Sequence, residues 1–316
     1  MGAAEGLAPT PSRAPAAPRL QKVEFVVNLR AGSVGPDAAA WLEQTSSAMG
    51  ISCHVRTPEP DALWSELRAA VDSGPDLLIT IAGDGTARAA ASLCGANGPL
   101  VAPLAGGTMN VLPHALYGPA DWKTALSEVL QNGVETEISG GEVDDRRFYV
   151  AAILGAPALW AEAREAARMH QLMLAWRKAH NAWRRAFSHR LRFSLDSGAE
   201  GRTLALALMC PLASRTMDQN DCALEAAALD PRTVAEALRI GARALLSRLA
   251  GDWRNDAAVE VTRCRQGRAW TQGSHMRAIL DGEPMRLHKQ VEIRFVPVAF
   301  RALVPPASQP EPEPAP

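Results

Sequence analysis

The sequence contains no uninterrupted apolar run of about 18 residues or more, the length a helix needs to cross a bilayer. It also lacks the continuous apolar stretch of a secretion signal, because its first 19 residues are rich in Ala and Pro. Any dealing with a membrane is therefore expected from outside it. No Cys-x-x-Cys pair occurs. The five cysteines, at positions 53, 94, 210, 222 and 264, are widely spaced and odd in number, which argues against a zinc site and a disulfide framework and fits a reducing cytosol. A dominant charge is missing too: with a net charge of −1 there is no global electrostatic case for a nucleic-acid partner, and any basic surface must be local.

What is present is the composition of a soluble globular protein, 47% hydrophobic and 21% charged, over 316 residues that leave room for two domains. Residues 1–19 and 306–316 are Ala/Pro-rich and predict disordered tails. Between residues 20 and 133, strand patterns alternate with helix patterns, which predicts an α/β domain built on a parallel sheet. From 134 to 297 the pattern is one strand after another, at about 134–143, 147–153, 190–196, 203–210, 222–229, 257–263, 276–281 and 291–296. That run predicts a β-rich, sandwich-like second domain. Two helices interrupt it. One covers roughly 157–187, with Met169, Leu172, Trp176 and Trp183 on one face and arginines over much of the rest; the other follows an N-cap at Asp230 and runs to about Leu249.

The chain is organised around residues 76–110, where two short apolar runs each stop in a glycine-rich turn. Asp76–Ile81 reads as a buried strand, broken by Ala82-Gly83-Asp84-Gly85-Thr86 ahead of a helical stretch at 87–94. Pro99–Ala102 is the second strand, followed by Pro103-Leu104-Ala105-Gly106-Gly107-Thr108-Met109-Asn110. Glycines at 83, 85, 106 and 107 let the backbone enter left-handed conformations and approach a ligand, and a helix starting there aims free N–H groups at an anion. Thr86 and Thr108 add hydroxyl donors. Asp84 would repel a phosphate, so it is read as holding Mg²⁺, orienting a hydroxyl nucleophile or accepting its proton. Ordinary Asp-Gly turn chemistry is the competing reading.

Two further stretches carry acids. Met217-Asp218-Gln219-Asn220-Asp221-Cys222 precedes a strand, and Asp281-Gly282-Glu283-Pro284 forms a tight turn in which two carboxylates can face one space and divide the work of proton transfer and support. A polar turn, Asn28-Leu29-Arg30-Ala31-Gly32-Ser33, follows the first strand, where nucleotides commonly bind in α/β domains; a plain strand-to-helix connection would look the same.

Gly83, Asp84, Gly85, Thr86, Pro103, Leu104, Gly107, Thr108 and Asn110 together resemble the diacylglycerol kinase catalytic-domain family of lipid kinases, which includes the sphingosine and ceramide kinases and is distantly related to NAD kinases. The sequence departs from that pattern at Ala82, where glycine is usual, at Arg88-Ala89, where Asn-Glu is common, at Leu29 and at Cys222. The resemblance implies ATP and Mg²⁺ as cofactors. It implies nucleotide contacts from Asn28, Gly32, Thr57, Gly83, Gly85, Thr86, Gly107, Thr108 and Asn110, and metal ligation by Asp84 and Asp221. Catalytic roles fall to Asp84, Asp281 and Glu283, with the choice of general base left open, and residues 298–305 become a terminal strand returning to the first domain. It further implies a lipid alcohol, diacylglycerol first, met at the inner face of the membrane by a cytoplasmic, peripheral protein, with no nucleic-acid partner and with homo-oligomerisation open. A NAD kinase-like enzyme and a catalytically silent lipid-binding regulatory protein are the alternatives.

Overall fold

The computed structural model describes residues 20–155, 190–218, 220–231 and 252–306, together with Glu236 and Arg239. Lys22–Val27 (β1), Ser52–Arg56 (β2), Leu77–Ala82 (β3) and Leu100–Ala105 (β4) lie parallel in the order β2-β1-β3-β4. The helices between and after them are Ala38–Ala48 (α1), Leu63–Asp72 (α2), Asp84–Cys94 (α3), Val111–Tyr117 (α4) and Trp122–Asn132 (α5). Successive strand residues face opposite layers. Phe25, Ile79 and Ala102 pack with α1 and α5, whereas Val26, Leu78 and Val101 pack with α2, α3 and α4. Burial on both faces is why β3 and β4 read as near-continuous apolar runs rather than alternating ones.

Twelve more strands follow: Val134–Val143 (β5), Arg146–Phe148 (β6), Ala151–Gly155 (β7), Leu191–Leu195 (β8), Glu200–Thr203 (β9), Ala205–Met209 (β10), Leu224–Leu229 (β11), Val259–Cys264 (β12), Gln266–Trp270 (β13), Met276–Leu280 (β14), Glu283–Leu287 (β15) and Gln290–Val304 (β16). Among the described residues they complete two sheets. The parallel sheet continues from β4 through β16, β13 and β8 to β9, with β5 pairing β16 and β6; the other sheet runs β12-β11-β10-β7-β14-β15. Phe193, Ala269 and Ile293 of the first pack on Leu154, Leu208 and Ala278 of the second, so this half is a β-sandwich as expected. One long strand links the halves. β16 pairs antiparallel with β5 from Val143↔Ile293 to Val134↔Val304, bulges between Val296 and Phe300, and meets β4 in parallel at Ala302↔Val101.

The strand expected over 147–153 is two strands, β6 in one sheet and β7 in the other, with a bend at Tyr149–Val150 where the chain changes sheets. β13 has no counterpart in the pattern reading, because Gln266-Gly267-Arg268-Ala269-Trp270 carries one fully buried side chain and is a strand by virtue of its neighbours β8 and β16. The expected helix over 157–187 lies outside the described residues, and of the one after Asp230 only Pro231, Glu236 and Arg239 lie within them.

Candidate active site

In the parallel sheet the chain goes from β1 outward to β2 and then returns to the other side of β1 as β3. Connections diverge there, leaving a crevice beyond the carboxyl ends of β1 and β3, the usual ligand position in such sheets. Hydrogen bonds join the three loops that border it. The Asn28 N–H donates to the Ile81 carbonyl (3.0 Å), the Gly106 N–H to the Ala82 carbonyl (3.1 Å), and the Ser33 Oγ to the Gly106 carbonyl (2.9 Å). Exposed Gly32 sits beside Ser33 in the β1 loop, and exposed Thr57 follows β2 at the same end of the sheet. The sequence reading overlooked Ser33 as the tie between loops, because its partner lies 73 residues away.

The glycines act differently from expectation. None of Gly83, Gly85, Gly106 and Gly107 has a positive φ; the left-handed residue is Asn110 (φ 51°, ψ 46°), whose side chain accepts from the Gly107 N–H and donates to its carbonyl. What Gly107 provides is contact, since a Cβ there would lie 2.7 Å from the Gly83 Cα, while Cβ atoms on Gly83 and Gly85 would meet open space. Gly107→Ala is therefore expected to push the two turns apart at a cost of about 1–3 kcal/mol. Thermal denaturation checks this, and an unchanged melting temperature would contradict it.

Helix α3 begins at Asp84, three residues before the expected start, so Asp84-Gly85-Thr86 is its first turn with Gly83 as N-cap. An acid at this position interacts favourably with the helix dipole. Asp84 is 7% exposed, and its Oδ1 accepts the Val111 N–H at 2.5 Å, satisfying an otherwise free donor at the start of α4. Burial pushes its carboxyl above the ordinary carboxylate range, against the opposing pull of backbone N–H groups at Val111, Asn110 and Leu112. The other carboxylate oxygen is the atom through which Asp84 could meet a cation.

Asp281 and Gly282 form the two-residue turn of the β14–β15 hairpin, both with positive φ (47° and 86°), as a type I′ turn requires. Asp281 is 1% exposed and turned inward. Its carboxylate accepts the N–H groups of Tyr149 (2.8 Å), Val150 (2.8 Å) and Ala151 (3.0 Å), and burial pushes its pKa up to about 6. Those bonds cause the bend between β6 and β7, because these amides bond to a side chain instead of a neighbouring strand. The turn reaches the end of the second glycine turn: a Cβ on Gly282 would lie 3.2 Å from the Val111 side chain, and Val111 is the residue whose amide Asp84 holds. Glu283, the next residue, is half-buried at the start of β15.

Beside α3 opens a cleft of about 620 Å³. Leu63, Trp64 and Leu67 of α2 form an apolar wall, Gly85, Thr86 and Arg88 of α3 the floor, and the β5–β6 turn and Met285 the far side. Arg88, overlooked as a site residue from sequence, donates to the Met285 sulfur at 3.5 Å and so spans the two halves of the molecule.

Residues 22–143 match the diacylglycerol kinase catalytic domain. The fold agrees along almost the whole chain. A crystal structure of a diacylglycerol kinase from Bacillus anthracis strain Sterne superposes with a TM-score of 0.65 at 15% identity, covering 92% of this chain and 99% of that one. A protein provisionally assigned as a diacylglycerol kinase from the same strain superposes with a TM-score of 0.69, also at 15% identity, over 92% and 99% of the two chains. No curated protein matches the chain significantly in sequence. The domain match supports a lipid kinase family for residues 22–143, and the structural likeness, at 15% identity, shows the shared fold.

The diacylglycerol kinase match contains Asn28, Gly32, Thr57, Asp84 and both glycine turns, and it ends before Asp221, Asp281 and Glu283. Within it, the departure at Ala82 is accommodated, because the Ala82 side chain is buried at the end of β3 and its carbonyl still accepts the Gly106 N–H. Asp221 lies at the same end of the second sheet as Asp281 but on the approach to β11, three strands away across β7 and β10. It accepts the Asp218 N–H and faces Arg263 at 3.5 Å, so the structure does not bring it beside Asp84 through any recorded contact. Among the described residues no group of three or more His, Cys, Asp or Glu side chains converges as a metal cage. Mg²⁺ in phosphate-binding sites is commonly held by one or two carboxylates plus the substrate phosphates, and Asp84 beside the α3 N-terminus fits that pattern. No described helix is long and apolar enough to cross a membrane.

Proposed function

We propose that this chain is an ATP- and Mg²⁺-dependent lipid kinase that transfers the γ-phosphate to a lipid hydroxyl, with diacylglycerol the first acceptor to test. The observation that carries the reading is the α3 N-terminus: free N–H groups, open space beside Gly83 and Gly85, and the buried Asp84 carboxylate in one turn. Triphosphate would lie along this turn between the Asn28–Gly32 and Gly107–Asn110 loops. The cleft formed by Leu63, Trp64, Thr86 and Arg88 is apolar on one wall, suits a purine, and has the volume of a small-molecule site. Bound Mg²⁺ supplies charge neutralisation on the phosphates, and Asp84 would hold it.

Transfer then needs an acceptor hydroxyl aligned with the γ-phosphorus and a base for its proton. The hydroxyl oxygen forms the new bond to phosphorus as the bond to the β-phosphate oxygen breaks. Of the three catalytic acids, Asp281 has its carboxylate committed to three amides and acts as a positioning residue. Half-buried Glu283, held by that turn, takes the proton. Glu283→Gln is expected to lower turnover about 100-fold while Mg·ATP still raises the melting temperature; near-normal turnover would remove Glu283 from the role.

The deciding experiment measures labelled γ-phosphate transfer to a panel of micelle-presented lipid alcohols, with NAD as a separate acceptor. Label on a lipid supports the proposal and identifies the acceptor. Label on NAD alone would move the chain to a NAD kinase-like activity. Transfer to nothing, despite stabilisation by Mg·ATP, would favour the silent lipid-binding reading. On the lipid kinase reading the protein works as a peripheral protein at the inner face of the membrane.

A further inference from the structure

A second concavity, of about 960 Å³, lies next to the cleft beside α3, formed by the β5–β6 turn, the loop before β14 and the β15–β16 turn. Its basic side chains are Arg146, Arg286 and Lys289, with His275 and His288; its acids are Asp144 and Asp145. Asp144 and Asp145 are the two left-handed residues of the β5–β6 turn (φ 53° and 61°). Asp144 is committed to His288, accepting its backbone N–H at 3.1 Å and facing its Nδ1 at 2.8 Å, a pairing that holds the imidazole above its ordinary pKa. Among the described residues that line it, Asp145 and the attraction of Asp144 for Arg146 are left to offset three strong cations. Arg146, Arg286 and Lys289 are exposed, and among the described residues none has a carboxylate within ion-pair distance. A chain of net charge −1 thus concentrates positive charge at one set of hairpin tips.

We propose that this basic face docks the protein on a bilayer carrying anionic headgroups. The inference rests on the lipid kinase reading for its choice of occupant. Asp145 and Arg146 line both concavities, so the basic face borders the cleft in which that reading seats the purine of ATP. A lipid alcohol must leave the bilayer to reach the phosphates of a nucleotide bound there, and no described helix can hold the protein at the membrane by crossing it. Each Lys or Arg near an anionic leaflet strengthens binding several-fold, and the attraction decays within a Debye length, so it must come from exposed tips such as these.

The test uses the full chain and vesicle sedimentation without ATP, comparing phosphatidylcholine vesicles with vesicles that also contain phosphatidylglycerol. Binding is expected only to the anionic vesicles, and Arg286→Gln with Lys289→Gln is expected to weaken it roughly 30-fold at low salt. The same double variant should leave transfer to a short-chain, dispersed lipid unchanged. Equal binding to neutral vesicles, unaltered binding by the double variant, or tighter binding to duplex DNA than to anionic vesicles would overturn the proposal. Vesicle binding that needs Arg286 and Lys289, in a protein that transfers no phosphate to any lipid, would uphold the docking face and overturn the kinase reading alone.

Discussion

Asp84→Asn is expected to cut phosphate transfer at least about 1,000-fold while the melting temperature moves by only a few degrees. The substitution separates two tasks of this side chain. An asparagine Oδ1 can still accept the Val111 N–H, so the link between α3 and α4 survives. What disappears is the negative charge, worth about 0.3–1 kcal/mol to the helix terminus but far more to a cation beside a triphosphate. Burial already raises the carboxyl, so the ionised form is costly in the protein alone and a bound cation would offset that cost. Initial rates with saturating Mg·ATP, together with thermal denaturation of both proteins, check the prediction. A variant that keeps a tenth or more of the activity would show that Asp84 serves only the helix ends.

Asp281→Ala is expected to destabilise the protein by about 3–5 kcal/mol, lowering the melting temperature by roughly 10 °C, because three amides lose their acceptor together. The corner where the chain passes from one sheet to the other depends on those bonds, and so does the contact of Gly282 with Val111. The effect depends on pH. With its pKa up to about 6, the folded state binds the Asp281 proton more tightly than the unfolded chain does, so the stability it contributes is greatest below about pH 4 and declines between about pH 4 and 6. The gap between wild type and variant should narrow over that window by about 1.4 kcal/mol per pH unit. Denaturant unfolding at pH 4.5 and pH 7 would read it as a difference in which other titrating groups cancel. A gap that is constant with pH, or below about 1 kcal/mol throughout, would mean that water takes over the three amides.

The parallel-sheet half was legible from residue order because its information is local. Near-continuous apolar runs read at 76–81 and 99–102, each ahead of a glycine-rich turn, specify strand, turn and helix over spans of about ten residues, where backbone preference and burial on both faces act directly, and the strands are Leu77–Ala82 and Leu100–Ala105. The Gly-Asp-Gly-Thr turn was legible as a strand-to-helix turn for the same reason. The consecutive strands after residue 134 pointed to a sandwich, although their pairing could not be read. β13 is a strand only because β8 and β16 flank it, and 149–150 bends only because a carboxylate 131 or more residues away accepts its amides.

The reason for each glycine was equally hidden. Local rules give Gly106 and Gly107 left-handed freedom, whereas packing uses them to bring the β4 turn against the backbone of Ala82 and Gly83. The roles of Asp281 and Arg88 belong to the same class. Sequence placed an acid in a tight turn and an arginine on a helix, and tertiary packing buried the acid as a clamp and laid the arginine across the cleft to Met285. Conformational preference acts between neighbours, whereas desolvation and hydrogen-bond partnership depend on which distant segments exclude water together.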